Sequence, residues 1–185
     1  MEDEKIIALY WSRDQRALGE SQKKYGSLCF RLSENILASR EDAEECVSDA
    51  LYAAWRQIPP LIPRSLRTFL GRVTRNLSVS RYRADRAGKR SCGMDELLSE
   101  LSDCLPDGCS VEEEADSRAL SVTISGWLDT LSPGDRELFV RRYWFCDSLT
   151  DIAAQMEETP QQLAQRTYRL RKLLKQCLEK EGYTI

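Results

Sequence analysis

The sequence predicts an all-α fold: two small helical domains joined by an acidic linker, the C-terminal one a helix-turn-helix. Three observations predict it. Apolar residues recur at three- and four-residue spacing along most of the chain, no segment sustains period-two alternation, and an acidic, weakly periodic stretch separates two basic, periodic ones.

The elements follow in order. Ile6, Ile7, Tyr10, Ala17 and Leu18 open one stripe, and Tyr25, Leu28, Cys29, Leu32 and Ile36 give the next. Ala43, Cys46, Val47, Ala50, Leu51, Ala54, Trp55 and Ile58 step by three and one throughout, the signature of an amphipathic helix. Pro59, Pro60 and Pro63 close it, because proline lacks the N–H that would continue the helix. Leu66, Phe69, Leu70, Val73 and Leu77 make a fourth stripe, so residues 1–90 read as an N-terminal domain. Residues 91–116, with Gly93, Pro106, Gly108 and many acids, read as a linker.

Residues 117–185 read as the C-terminal domain. Ser132-Pro133 and Thr159-Pro160 have the form of an N-cap followed by proline at the first helical position. The helix after Pro133 carries Leu138, Phe139, Val140, Tyr143, Trp144 and Phe145. A short helix over 149–156 packs Ile152, Ala153 and Met156, and a turn through Glu157 and Glu158 leads to a long final helix. Two helices across a tight turn, the second rich in Gln and Arg, form a helix-turn-helix.

Composition removes whole classes of function. The 185 residues are 42% hydrophobic and include no His, so the commonest general base and transition-metal ligand is missing. The seven cysteines form no Cys-x-x-Cys pair, and reduced thiols are the simpler reading. No nucleophile–base pair or phosphate loop is written, so no enzymatic activity, cofactor or metal is expected. No apolar run reaches the roughly 18–20 residues of a membrane span, and the acidic N-terminus lacks a signal peptide's basic region, which predicts a cytoplasmic protein.

The formal charge of −3 conceals segregation. Residues 64–90 hold nine bases and one acid, and residues 91–118 nine acids and one base. A second basic block comprises Arg166, Arg169, Arg171, Lys172, Lys175 and Lys180. Phosphate binding follows the field of one face more than the mean charge, so nucleic acid is the predicted partner, against the plainer reading that each block is a solvated helix face.

At about 100° per residue, the basic helix turns Leu66, Phe69, Leu70, Val73 and Leu77 inward and gathers Arg64, Arg72, Arg75, Arg83, Arg86 and Lys89 opposite, with Asn76 at the stripe's rim. That face suits phosphate tracking plus reading of a base, though Asn76 reads equally as an ordinary surface amide. In the last helix Leu163, Thr167, Leu170, Leu174 and Cys177 face inward. Gln161, Gln165, Tyr168 and Lys172 project from the other side, flanked by Gln162 and Arg169. Gln pairs bidentately with adenine and Arg with guanine or phosphate, while Arg171, Lys172 and Lys175 suit backbone contacts. The helix over 42–55 is acidic outward through Asp42, Glu45 and Asp49, a face that is either solvated or meets a protein.

These residues resemble a known family. Asp42-Ala-Glu-Glu-Cys-Val-Ser-Asp-Ala-Leu-Tyr-Ala-Ala-Trp55 is similar to the polymerase-binding helix of bacterial sigma factors. Phe69-Leu-Gly-Arg-Val-Thr-Arg-Asn-Leu77 with the arginines after it resembles the segment that reads the −10 promoter element. Leu131-Ser-Pro-Gly-Asp-Arg-Glu-Leu-Phe139, Asp151-Ile-Ala-Ala154 and the final helix resemble the domain that reads the −35 element. Together they resemble the two-domain extracytoplasmic-function (ECF) group of sigma factors. The resemblance implies that Asp42, Glu45 and Asp49 dock on the clamp helices of the largest subunit of core RNA polymerase. It implies that Arg72, Arg75, Asn76, Ser78, Ser80, Arg83 and Arg86 meet the opened −10 element, and that Gln161, Gln162, Gln165, Arg166, Arg169 and Lys172 read the −35 duplex. It further implies that the linker threads a basic channel of the polymerase, and that an anti-sigma protein is a usual partner. The chain departs from the pattern at Glu157, where glycine is usual, at Gln161, Gln162, Ala164 and Gln165 early in the last helix, and at Ser48 and Ser80.

Two other readings compete. A stand-alone helix-turn-helix regulator would need neither the acidic helix nor a second basic one. A thiol sensor would use Cys92, Cys104 and Cys109.

Overall fold

The structure is a computed structural model that describes residues 1–85, 92–102, 104–105 and 114–185. Every regular element among them is a helix, in two units, Met1–Met94 and Asp95–Ile185. The first unit holds α1 (Asp3–Trp11), α2 (Arg16–Leu37), α3 (Arg40–Gln57) and α4 (Leu66–Asp85). The second holds most of α5 (Cys92–Ser102), then α6 (Glu114–Thr130), α7 (Pro133–Tyr143), α8 (Leu149–Met156) and α9 (Pro160–Lys180).

In the first unit α2, α3 and α4 pack on one another, with α1 laid on α2. Ile6, Tyr10, Ala17, Val47, Ala54, Ile58, Leu66 and Leu70 fill the centre, each all but removed from water. The opening stripe is two helices rather than one, broken between Trp11 and Arg16. Tyr10 Oη and Ser21 Oγ lie 2.9 Å apart in this interior, so the buried phenol is satisfied. Ser39 caps α3 by accepting from the Asp42 amide, and Glu41 and Asp42 lie in the first turn, where the helix dipole favours anions. The polar residues Thr74 and Ser78 continue the four-residue step Leu66, Leu70 toward Tyr82, and both are fully buried. The inward face of α4 is therefore longer than its apolar residues indicate.

In the second unit α7, α8 and α9 form the helix-turn-helix. Ser132, Ser148 and Thr159 each accept a backbone N–H at a helix start, and Thr159 with Gln162 completes a reciprocal capping box. Glu157 ends α8 at φ 55°, so the turn takes its left-handed residue without a glycine. Leu138, Ile152, Leu163, Leu170 and Leu174 make the core, and Trp127, Phe139 and Tyr143 form a run of ring contacts at 4.9 and 4.6 Å.

The expected linker over 91–116 is partly structured. The helix α5 lies inside it, and α6 begins at Glu114. Leu97 is buried, and Glu100, on the same helix, accepts from Arg142 and Tyr143 of α7 and from Arg171 of α9. Acids that read as solvated linker charges instead fasten a helix to the second unit.

Candidate nucleic-acid and protein interfaces

On α4 the outward line is cationic. Arg72, Asn76 and Arg83 are exposed and fall within about 40° of one another on the helix wheel, with half-buried Arg75 at the side and exposed Ser80 at its edge. Arg86 lies outside the described residues. Ahead of this face, the loop before α4 and its first turns form an open depression of about 340 Å³ lined by Leu61, Ile62, Arg64, Thr68 and Arg72 among others. Ile62 is 69% exposed, an apolar side chain at the mouth of a basic surface.

Ser78 does not belong to this face. It is completely buried, and its Oγ lies 2.9 Å from both the Thr74 carbonyl oxygen, to which it donates, and Ser33 Oγ on α2. The expectation that Ser78 meets DNA is corrected: it is a small polar residue in a close α2–α4 contact. Ser78→Ala should lower stability by about 1 kcal/mol in chemical denaturation and leave promoter choice unchanged.

On α3 the three acidic candidates divide. Asp42 and Glu45 both pair with Arg81 of α4, at 2.9 and 2.5 Å. The Glu45 hydrogen bond, with both carboxylates, raises the Arg81 guanidinium above its ordinary value despite partial desolvation. Asp49 is exposed and has no ion pair among the described residues. One turn on, Tyr52 is 61% exposed on the same side. Sequence reasoning passed over Tyr52, although its three-residue step from Asp49 would have placed it there. Exposed aromatics are enriched at protein-binding surfaces, and the acid beside this one supplies charge for a basic partner.

On α9 the outward residues Gln161, Gln165, Arg169 and Lys172 are exposed as expected. Gln162 is exposed too, but its Oε1 accepts from the Thr159 amide and hydroxyl, which leaves only its amide nitrogen uncommitted to the cap. Arg166 differs from these residues in having internal partners. Its guanidinium is held by Asp135 on α7 at 2.7 Å and by Glu158 in the turn, so its charge is cancelled within the unit. The Arg166 hydrogen bond holds the Asp135 carboxyl below the usual carboxylate range, outweighing burial. Arg171 likewise binds Glu100 and the Tyr143 hydroxyl instead of standing free for a phosphate. Both arginines were read from sequence as part of the basic block, and both act as internal fasteners.

Of the cysteines in the thiol reading, only the side chain of Cys104 lies among the described residues. Cys104 is 2% exposed, its Sγ donating to the Leu101 carbonyl oxygen. Cys109 and the side chain of Cys92 lie outside the described residues. No helix among the described residues is long and apolar enough to cross a membrane.

Residues 22–88, which span α2 from its first turns through α4, match the family Sigma-70 region 2. Among solved structures, the chain is similar to the one described as "Structure of CnrH in complex with the cytosolic domain of CnrY". The two are 21% identical, the match covers 97% of this chain and 99% of that chain, and the TM-score is 0.45. No curated protein matches.

Proposed function

We propose that the chain is a sigma factor of the sigma-70 type, residues 22–88 matching region 2, that it belongs to the ECF group, joins core RNA polymerase, and directs it to promoters whose −10 element it helps to open. The observation that carries the proposal is that one region-2 helix bundle presents an exposed cationic face with Asn76 on α4 and an unpaired acid with an exposed tyrosine on α3. A DNA-binding module alone has no use for the second surface, which would repel phosphates.

In this reading Asp49, with Tyr52, meets the clamp helices of the largest polymerase subunit, and Asp42 and Glu45 add to the field while tied to Arg81. Arg72, Arg75, Asn76, Ser80, Arg83 and Arg86 meet the −10 strand. The depression beside Arg72 offers an apolar wall for a base drawn from the stack, and capture there offsets an unpairing cost of a few kcal/mol per base. The second unit reads the −35 duplex through α9, with Gln161, Gln165, Arg169 and Lys172 at the groove. Within residues 91–116, the acidic part that follows α5 threads the polymerase, and an anti-sigma protein would regulate the chain by covering these faces. A cytoplasmic location follows from a polymerase partner.

Run-off transcription with bacterial core polymerase on a promoter library, with and without the chain, tests the proposal. New start sites that share a −10-type and a −35-type block are expected. DNA binding by the chain with no polymerase-dependent initiation would favour the stand-alone regulator.

A further inference from the structure

Tyr168 is 52% exposed at the middle of the outward line Gln161, Gln165, Tyr168 and Lys172 on α9. An aromatic ring half in water costs hydration free energy in the free protein and is conspicuous on an otherwise polar helix. The ring carries two cations: the Lys172 ammonium lies 5.0 Å from its centroid and the Arg171 guanidinium carbon 5.9 Å. Side chains on a helix lean toward its N-terminus, so the ring lies over the turn that holds Ala164 and Gln165. There the helix surface has an open depression of about 500 Å³ lined by Ala164, Gln165, Tyr168 and Arg169. A methyl group and an aromatic ring form its apolar wall, and an amide and a guanidinium form its polar edge.

A ligand matched to this surface has a small apolar projection, a hydrogen-bonding edge beside it, and negative charge around both. A thymine in a DNA major groove has these features: the 5-methyl group, the neighbouring adenine edge, and flanking phosphates. We infer that Ala164 and Tyr168 read the 5-methyl group of a thymine in the −35 duplex, with Gln165 placed for an adenine in the same A·T-containing step. The inference rests on the proposed −35 reading and adds a base identity to it. Lys172 and Arg169 supply phosphate attraction around the contact. Lys172, 5.0 Å from the ring centroid, also restrains the ring before DNA arrives.

Replacing thymine by deoxyuridine removes the methyl group and leaves Watson–Crick pairing intact. On promoters selected with core polymerase, each −35 thymine is replaced in turn, and promoter binding by the reconstituted holoenzyme is measured. The chain is used full-length as wild type, Y168F and Y168A. One thymine should cost roughly fourfold in affinity on replacement, about the worth of one buried methyl group. Y168F should keep that penalty and Y168A should erase it. Unchanged thermal unfolding of Y168A is expected from its exposure and separates loss of reading from loss of fold. If the −35 block matters but no thymine is sensitive to the replacement, or if Y168A shows the wild-type penalty, the inference is overturned. If binding depends on no −35 block at all, the promoter reading of the second unit is itself overturned.

Discussion

Glu100→Ala should destabilise the second unit by about 2 to 3 kcal/mol, a fall of roughly 10 °C in its calorimetric transition. One carboxylate on α5 accepts from Arg142 at 2.7 Å, from Tyr143 at 2.7 Å and from Arg171 at 2.7 Å. Its removal leaves the Arg171 guanidinium, 18% exposed, without its counter-charge, and the Arg142 guanidinium, 7% exposed, with only the exposed Glu96 at 3.3 Å. Hydrogen exchange should accelerate over Cys92–Ser102, because Glu100 is the main polar attachment of that helix. The effect has a pH signature of definite sign. Burial alone would raise the Glu100 carboxyl, but the hydrogen bonds from Arg142 and Tyr143 and the charge of Arg171 outweigh it and hold the group below its ordinary value of 4.5. A carboxyl depressed on folding stabilises the fold fully above its ordinary value and loses that contribution as pH falls through the folded one. Wild type should therefore weaken on acidification below about pH 4.5, and Glu100→Gln should flatten that part of the profile.

Asp49→Lys should reduce binding to core polymerase by roughly tenfold or more while leaving the unfolding transition within about 0.5 kcal/mol of wild type. Asp49 is exposed and outside any ion pair among the described residues, so reversing its charge removes nothing that folds the domain. Asp42 and Glu45 make poorer probes. Reversal of either places a cation against Arg81 and confuses a lost interface with a strained α3–α4 contact. Titration of labelled core polymerase with the wild-type and D49K chains reads the difference. Equal affinities would remove α3 from the polymerase interface.

The helical fold and its turn at the helix-turn-helix were legible because they are written in local signals. Ser132, Ser148 and Thr159 cap helices through their own next three residues, and the leucines of α9 repeat at helical spacing. What sequence did not disclose depends on partners distant along the chain. Ser78 looks like any surface serine until Ser33, forty-five residues earlier, is placed against it. Glu100 looks like one of nine linker acids until Arg171, seventy-one residues later, closes on it. Arg166 counts as a free cation in a local charge sum, yet Asp135 and Glu158 cancel it. Helix-wheel geometry put Arg72, Asn76, Gln161 and Gln165 outward, and they are exposed, whereas the charge sum overcounted where a charge had an internal partner. Exposed aromatics divide: the wheel already put Tyr168 outward, while Tyr52, equally readable from its three-residue step past Asp49, was passed over because a tyrosine on a wheel is ordinarily assigned to the core.

The central claim, that this chain lets core polymerase open particular promoters, is tested most directly by permanganate reactivity of thymines on a promoter selected in the run-off experiment. With core polymerase and the chain together, thymines in and just downstream of the −10 block should become reactive, and Asn76→Ala should weaken the signal without weakening duplex binding at the −35 block. Neither protein alone should produce it. Thymines that stay protected with both present, on DNA the two demonstrably occupy, would contradict the account.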